Sequence, residues 1–442
     1  MAFLFIEPTI EVVPPMITDD KIVFGLLMMC LALVFYSSSL QKGFWSKFYK
    51  IVPALLMCYL LPSILSSLGI ISGEPWEVVK DGKIVKESST LYFMASRYLL
   101  PAALVLMTLS IDLKAIFNLG PKALIMFLTG TVGIVIGGPI AILIVGSFSP
   151  ETVGGQGFDA AWRGLSTLAG SWIGGGANQT AMLEVYEFNP SKYGGMVLVD
   201  IVVANLWMGI LLFGIAKAAQ IDKWLGADSK SIEDLKSRVS KYTESVKREA
   251  TFTDTMVMLG IGFGAVAIAH FGANYLSELM NSMDAIAKNI FLSFLTSSFF
   301  WMISISTLIG IGLSFTPAKS YEGTGASKIG SIFIYVLVAT IGMKMDLTQI
   351  IENPLLILVG IIWMAIHAGL LILMAKLTRS PYFFLAVGSQ ANVGGAASAP
   401  VVASEFHPSL TSVGVLLAVF GYVVGTIGAI GCTILMQLVA TS

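Results

Sequence analysis

Apolar runs about as long as a membrane-crossing helix recur along this chain, and the stretches between them gather charge, glycine and proline. A hydrocarbon core of roughly 30 Å takes about 20 helical residues to cross. Runs of that order fall near residues 21–39, 51–72, 91–109, 122–147, 194–217, 254–273, 289–316, 328–343, 355–377 and 411–437. The pattern predicts ten crossings, all helical. Two Gly-rich, polar stretches interrupt it, GSWIGGGANQTAMLEVYEFNPS from Gly170 to Ser191 and GSQANVGGAASAPVVASEFHPS from Gly388 to Ser409.

These two stretches align without a gap. Glu187 and Glu405 stand 218 positions apart, and Gly170/Gly388, Ser171/Ser389, Gly176/Gly394, Ala181/Ala399, Phe188/Phe406, Pro190/Pro408 and Ser191/Ser409 share that spacing. Chance at ordinary residue frequencies gives about one or two identities in such a window. Asp112-Leu113 before Pro121 resembles Asp346-Leu347 before Pro354 at an offset of 234, the difference of 16 matching an extra loop around 147–163. The chain is therefore expected to be a duplication, with a lead-in at 1–20, a first repeat at 21–219, a linker at 220–253 and a second repeat at 254–442. The linker segment SIEDLKSRVSKYTESVKREA has helical character without strong apolar periodicity, which fits a solvated cytoplasmic helix.

Each half reads as four spans, the Gly-rich stretch and one more span. With each Gly-rich stretch a re-entrant hairpin that does not cross, a half has five crossings, an odd number, so the two repeats are inverted. Loop charge agrees. With the N-terminus outside, the inner loops hold Lys42, Lys47, Lys50, Lys114, Lys122, the basic residues of the linker, Lys319, Lys328, Lys376 and Arg379. The outer loops hold fewer, chiefly Lys80, Lys83, Lys86, Lys192, Lys288 and Lys344. This positive-inside bias places both termini outside a cell (inner or plasma) membrane.

Composition sharpens the class: of 442 residues 56% are apolar and 12% charged, with a mean hydropathy of +0.83. The fold class is an all-α polytopic membrane protein whose first partner is the lipid bilayer. A net charge of −1 gives no reason to expect a nucleic-acid partner. The lead-in carries Glu7, Glu11, Asp19 and Asp20 and no basic residue, unlike the start of a cleavable signal peptide. Cys30, Cys58 and Cys432 each stand alone in apolar runs, outside any metal-ligand spacing.

Non-helical backbone survives at membrane depth only where protein or a watery cavity satisfies it. Glycine lets the chain turn and a ligand approach, and the N–H groups opening the second half-helix favour an anion. Ser171, Gly175, Gly176, Asn178 and Gln179 of the first hairpin are therefore the candidate substrate contacts, with Ser389, Gln390, Asn392, Gly394, Gly395 and Ser398 of the second. The hairpins are expected to enter from opposite sides, so that their tips meet near the midplane. The plainer reading of the glycines is close helix packing. The Glu-Phe-x-Pro-Ser tails fit helix starts after each hairpin.

Asp200 lies in the span after the first hairpin, and its counterpart at offset 218 is Ala418. Intramembrane carboxylates mark ion paths often enough to make Asp200, with Asn205 and Thr180, the candidate site for a coupling cation, sodium in the first instance. The alternative is a carboxylate paired with a lysine or a buried amide. Arg97 either snorkels outward or meets a substrate carboxylate. His367 either relays a proton or bonds a neighbouring helix, and Asp112 and Asp346 read as helix caps.

At these hairpins the sequence resembles the YjcL-like family of membrane proteins, a domain of unknown function, over nearly the whole chain. More remotely, paired Gly-rich hairpins in an inverted five-plus-five arrangement resemble sodium/glutamate and sodium/citrate type symporters. That resemblance implies a sodium-coupled elevator transporter, with a core carrying the hairpins and a scaffold that mediates dimerisation. The expectation is a secondary transporter without cofactor that moves a small organic anion, amino acid or short peptide as a homodimer. Proton coupling is the alternative. An ion channel fits two unlike hairpins in one chain poorly, and no H-E-x-x-H or G-x-S-x-G motif suggests an enzyme.

Overall fold

The structure is a computed structural model that describes residues 14–49, 52, 54–80, 83–109, 116–117, 119–227, 232, 235, 249–287, 292–345, 353–407 and 410–440. The chain enters helix α1 (Asp20–Ser39), capped by the Asp19 carboxylate accepting from Lys21 N, then a short helix α2 (Gly43–Phe48) and α3 (Ala54–Ser67). An antiparallel ribbon, β1 (Trp76–Lys80) and β2 (Lys83–Glu87), follows. The apolar-run reading holds no strand there. Helix α4 (Leu91–Leu109) carries a π-helical turn at Ala95–Leu99, and α5 (Pro121–Gly146) begins with proline at its first position, where a missing N–H is harmless.

A broken pair comes next, α6 (Ala161–Gly174) and α7 (Gly176–Val185), then α8 (Tyr193–Ile215) and α9 (Ala218–Leu225). The second half runs through α10 (Phe252–Asn281), α11 (Ser298–Ser314), α12 (Ala326–Gly342) and α13 (Leu355–Thr378). It ends with a second broken pair, α14 (Tyr382–Val393) and α15 (Gly395–Phe406), and α16 (Thr411–Val439). Four apolar helices, a broken pair and one more apolar helix thus occur twice in chain order.

Each of the ten expected spans coincides with an apolar helix, but their lengths support fewer crossings. Among the described residues, seven helices are long and apolar enough to cross a membrane, or eight if Ser298–Ser314 is joined to Pro317–Thr324 across a 98° bend. The shortfall has local causes. Helix α3 stops at Ser67, where Gly69 turns the chain with φ +69°. Helix α11 starts only at Ser298, where the Ser297 hydroxyl caps it, and α12 follows Gly325 at φ +106°. Asp112, Asp346, Pro408, Ser409, most of the lead-in and most of the 220–253 linker lie outside the described residues.

The chain divides into two compact units. One takes the described residues of 1–95 and 335–347. In it Phe35 meets Tyr335 edge-on at 4.7 Å, and the Ser63 hydroxyl donates to Met345 O at 2.9 Å. Asp20 accepts from the hydroxyls of Ser89 and Thr90, at 2.6 Å each, and from Thr90 N. The other unit takes the described residues of 96–334 and 348–442 and holds both broken pairs.

Small residues set the spacing in this larger unit. A Cβ at Gly130, Gly133 or Gly137 of α5 would come within 3.1 Å of His367 Cε1, 3.0 Å of His367 Cα or 2.5 Å of Trp363 Cδ1, so α13 lies against bare α5 backbone. On α16, a Cβ at Gly421 would stand 2.9 Å from Ile173 O, and one at Gly425 2.6 Å from Gly174 Cα. Lipid offers no hydrophobic drive to bring helices together, so close van der Waals contact between small residues does this work.

Candidate functional site

Both Gly-rich stretches are helix–break–helix hairpins, and each break contains one glycine in the left-handed, positive-φ region. Gly175 has φ +77° and Gly395 φ +54°, conformations that a side chain disfavours. The arms fold back closely: a Cβ at Gly170 would meet Asn178 O at 2.5 Å. The two breaks also find each other. A Cβ on Gly395 would lie 3.8 Å from Gly175 Cα. The amino ends of α7 and α15 therefore begin beside one another.

Expected tip residues take several different places. Asn178 and Asn392 are fully buried and saturated. Asn178 Nδ2 donates to Gly174 O (2.9 Å) and Tyr422 O (3.5 Å), while its Oδ1 accepts from Thr426 (2.7 Å). Asn392 Nδ2 donates to Gly388 O and Phe127 O (2.9 Å each), and its Oδ1 accepts from Thr131 (2.7 Å). Each asparagine thus clamps its hairpin to a long helix, α16 for the first and α5 for the second. Gly176 has open space where a Cβ would be. Gln390 lies over the second break, its Nε2 donating to Ser398 at 2.8 Å beside Gly394, and its Oε1 is buried without a partner.

Asp200 is the buried carboxylate beside the first break. It is 8% exposed and accepts three side-chain hydrogen bonds, from Ser171 Oγ (2.7 Å), Trp172 Nε1 (2.6 Å) and Gln179 Nε2 (3.1 Å). Both arms of the hairpin contribute, α6 through Ser171 and Trp172 and α7 through Gln179. Of the expected cation ligands, only Asp200 has this place. Thr180 bonds back to Gly176 O and Ala177 O. Asn205 is exposed and donates to Ile201 O at 2.7 Å. Five helical residues turn it about 140° from Asp200.

Ser389, the counterpart of Ser171, has its own partners. Trp207 Nε1 donates to its hydroxyl at 2.7 Å, and His367 Nε2 lies 2.8 Å from the same oxygen. His367 Nδ1 is 2.9 Å from Gly130 O. An indole N–H only donates and a carbonyl only accepts. Nδ1 therefore carries a proton that it donates to Gly130 O, and in the neutral tautomer so defined Nε2 accepts from the Ser389 hydroxyl. Asp200 and Trp207, seven residues apart on α8, read the equivalent serines of the two hairpins. Trp172 and Trp363 meet edge-on at 5.1 Å between them.

Arg97 neither snorkels freely nor stands waiting for a carboxylate. Its Nη1 donates to Glu184 of α7 at 2.7 Å, and its guanidinium lies 4.3 Å from the Phe299 ring centre. Asn189 caps the turn Pro190–Lys192 by accepting from Ser191 N, the structural role expected of the Pro-Ser tail. Trp172, Trp207, Thr131, Thr426 and Glu184 were absent from the sequence reading. The i, i+7 spacing of Asp200 and Trp207 was the available signal for one of them, and Gly130, Gly133 and Gly137 at i, i+3, i+7 marked the α13 groove.

Apolar helices, two glycine-broken hairpins and a buried carboxylate define an integral, mostly helical membrane protein with buried polar networks. Residues 25–439 match the family described as "Protein of unknown function (DUF819)", and the chain belongs to it. It is similar to the uncharacterized membrane protein YjcL of Bacillus subtilis (strain 168), at 24% identity over 352 residues, covering 77% of this chain and 83% of that protein.

Proposed function

We propose that this protein is a cation-coupled secondary transporter for a small organic anion, amino acid or short peptide. Its two hairpins are re-entrant, its halves are inverted repeats, and the hairpin-bearing core carries the site across the membrane in an elevator motion. One observation carries the reading: the two breaks, Gly175 and Gly395, lie together with a buried carboxylate wired to one of them. Adjacent amino ends of α7 and α15 offer backbone N–H groups to an anionic group. Asp200 supplies the charge for sodium, with Ser171 and Gln179 oxygens able to turn toward it.

The test is thermal stability of the detergent-purified protein in sodium against equimolar choline, for wild type and Asp200→Asn. A ligand of the native state raises the unfolding midpoint by mass action. A sodium-specific rise that disappears in Asp200→Asn is expected. A wild type indifferent to sodium at every pH would sink sodium coupling. Proton coupling is then the second reading, favoured by His367 bonded to the second-hairpin Ser389, and a pH-dependent midpoint lost in His367→Gln would support it.

A further inference from the structure

Away from the hairpin tips, a cavity of about 310 Å³ opens where the loop before α6 faces the first turns of α8 and α13. None of the tip residues lines it. Its floor is hydrocarbon, from Met196 and Val199 of α8 and Leu356 and Ile357 of α13. Its rim carries Glu151, Asp159, Lys192 and Asn353. The volume sits at the lower end of the roughly 300–1,000 Å³ of small-molecule sites. An apolar base with a few convergent polar groups is what such sites have in common.

The rim charges are not all available. Asp159 is spoken for: Lys192 Nζ sits 3.0 Å from its Oδ2, and Asn189 Nδ2 donates to its Oδ1 at 2.8 Å. The Lys192 ammonium has three protons and directs one at Asp159. One oxygen of Glu151 accepts from the Ser149 hydroxyl, and the carboxylate remains exposed. Among the described residues, the Asn353 side-chain oxygen has a long 3.5 Å contact, from Thr152 Oγ1. The cavity thus brings the Lys192 ammonium and the Glu151 and Asn353 acceptors together with the apolar side chains of Met196, Val199, Leu356 and Ile357, with buried Thr152 also in its lining.

We propose that this cavity is a second small-molecule site, and that it binds an aliphatic zwitterion of the size of leucine. The ligand carboxylate lies against Lys192, its ammonium against Glu151 and Asn353, and its branched chain on Met196, Val199, Leu356 and Ile357. A bare amine offers no acceptor to the two Lys192 protons that do not face Asp159, and a bare acid offers no donor to the exposed Glu151 carboxylate, so either single-charge ligand makes fewer bonds here than the zwitterion. The proposal stands independently of the carrier reading.

Three near-isosteric probes test it on the full chain in detergent at fixed sodium: leucine, 3-methylbutylamine and 4-methylpentanoate, each at about 10 mM, well above a millimolar Kd. Leucine is expected to raise the unfolding midpoint by roughly 2 °C or more, and the amine and acid to leave it in place. Lys192→Gln and Glu151→Gln, each read against its own ligand-free midpoint, are expected to weaken the leucine response about tenfold, whereas Asp200→Asn keeps it. No leucine shift, an equal shift from either single-charge probe, or a shift untouched by both rim substitutions overturns the proposal. A leucine shift that survives both rim substitutions and vanishes in Asp200→Asn also overturns it, and moves leucine to the hairpins with the carrier reading intact.

Discussion

Removing the Asp200 carboxylate should expose how much of the first hairpin it holds. In Asp200→Ala the indole N–H of Trp172 and the amide of Gln179 lose their acceptor inside a site 8% exposed. The Ser171 hydroxyl escapes by turning to a carbonyl of its own helix. Stranding a buried donor costs about 1–3 kcal/mol, so two come to about 2–6 kcal/mol, with about 1 kcal/mol more for the small void. Asp200→Asn keeps the shape and one acceptor oxygen but turns an NH2 toward a donor, for about 1–3 kcal/mol. The assay is thermal unfolding in choline, so that sodium plays no part. A chain of this size loses roughly 1–3 °C per kcal/mol, and the alanine variant should fall clearly below the asparagine variant. Trp172→Phe in the alanine background removes one stranded donor, so the double variant should be about 1 kcal/mol more stable than the two single effects summed. Equal midpoints for alanine and wild type, or an asparagine variant as damaged as alanine, would refute this account of the network.

Trp207→Phe keeps an aromatic ring but loses the N–H to Ser389 and the second ring of the indole. In a denaturation midpoint it should cost about 0.5–1.5 kcal/mol for the hydrogen bond plus about 1 kcal/mol of lost packing, and Trp207→Leu more through lost contact with the His367 ring. Neighbouring glycines should behave oppositely: Gly175→Ala meets φ +77° and should cost about 1–3 kcal/mol, whereas Gly176→Ala, with nothing within 4 Å of its Cβ, should be neutral or slightly stabilising. Asp159 is held below its ordinary value of 3.8, first by the Asn189 hydrogen bond and then by Lys192. A lowered folded-state pKa adds stability that is fully present above the unfolded value and fades as pH falls through the folded one. Asp159→Asn should therefore lower the midpoint at pH 6 by no more than a few tenths of a kcal/mol for so exposed a pair, and the difference from wild type should shrink below about pH 4.

The apolar helices were legible because lipid imposes length and composition on every crossing segment, and those survive in a single sequence. Their ends were less so. Whether the run at 51–72 stays helical depends on Gly69, and the run at 289–316 starts late because Ser297 caps it. The breaks were placed correctly as regions, yet Asn178, Gln179 and Thr180 belong to the helix after the turn. Asp200 stood out as a lone carboxylate in an apolar span. Its partners did not, since Ser171 and Gln179 fit ligand contacts equally well and nothing in the sequence singles out Trp172. Asn205 was separable in advance by helical phase alone. What could not be read was the pairing of residues far apart in the chain, such as Trp207 with Ser389 or Arg97 with Glu184.

The asparagine clamps bear on how the chain is made. The first hairpin is held by Tyr422 O and Thr426, near the end of the chain, and the second by Phe127 O and Thr131, in the first half. During synthesis the second hairpin emerges to find its anchor already in place. The first, complete some 200 residues earlier in a growing chain delivered at about 5–20 residues per second, waits for α16 with Asn178 bonded to Gly174 O but its Oδ1 lacking the Thr426 donor. A chain halted before Thr411 should thus keep Gly174–Gln179 open to thiol labelling at an introduced cysteine, and release of the last helix should close it.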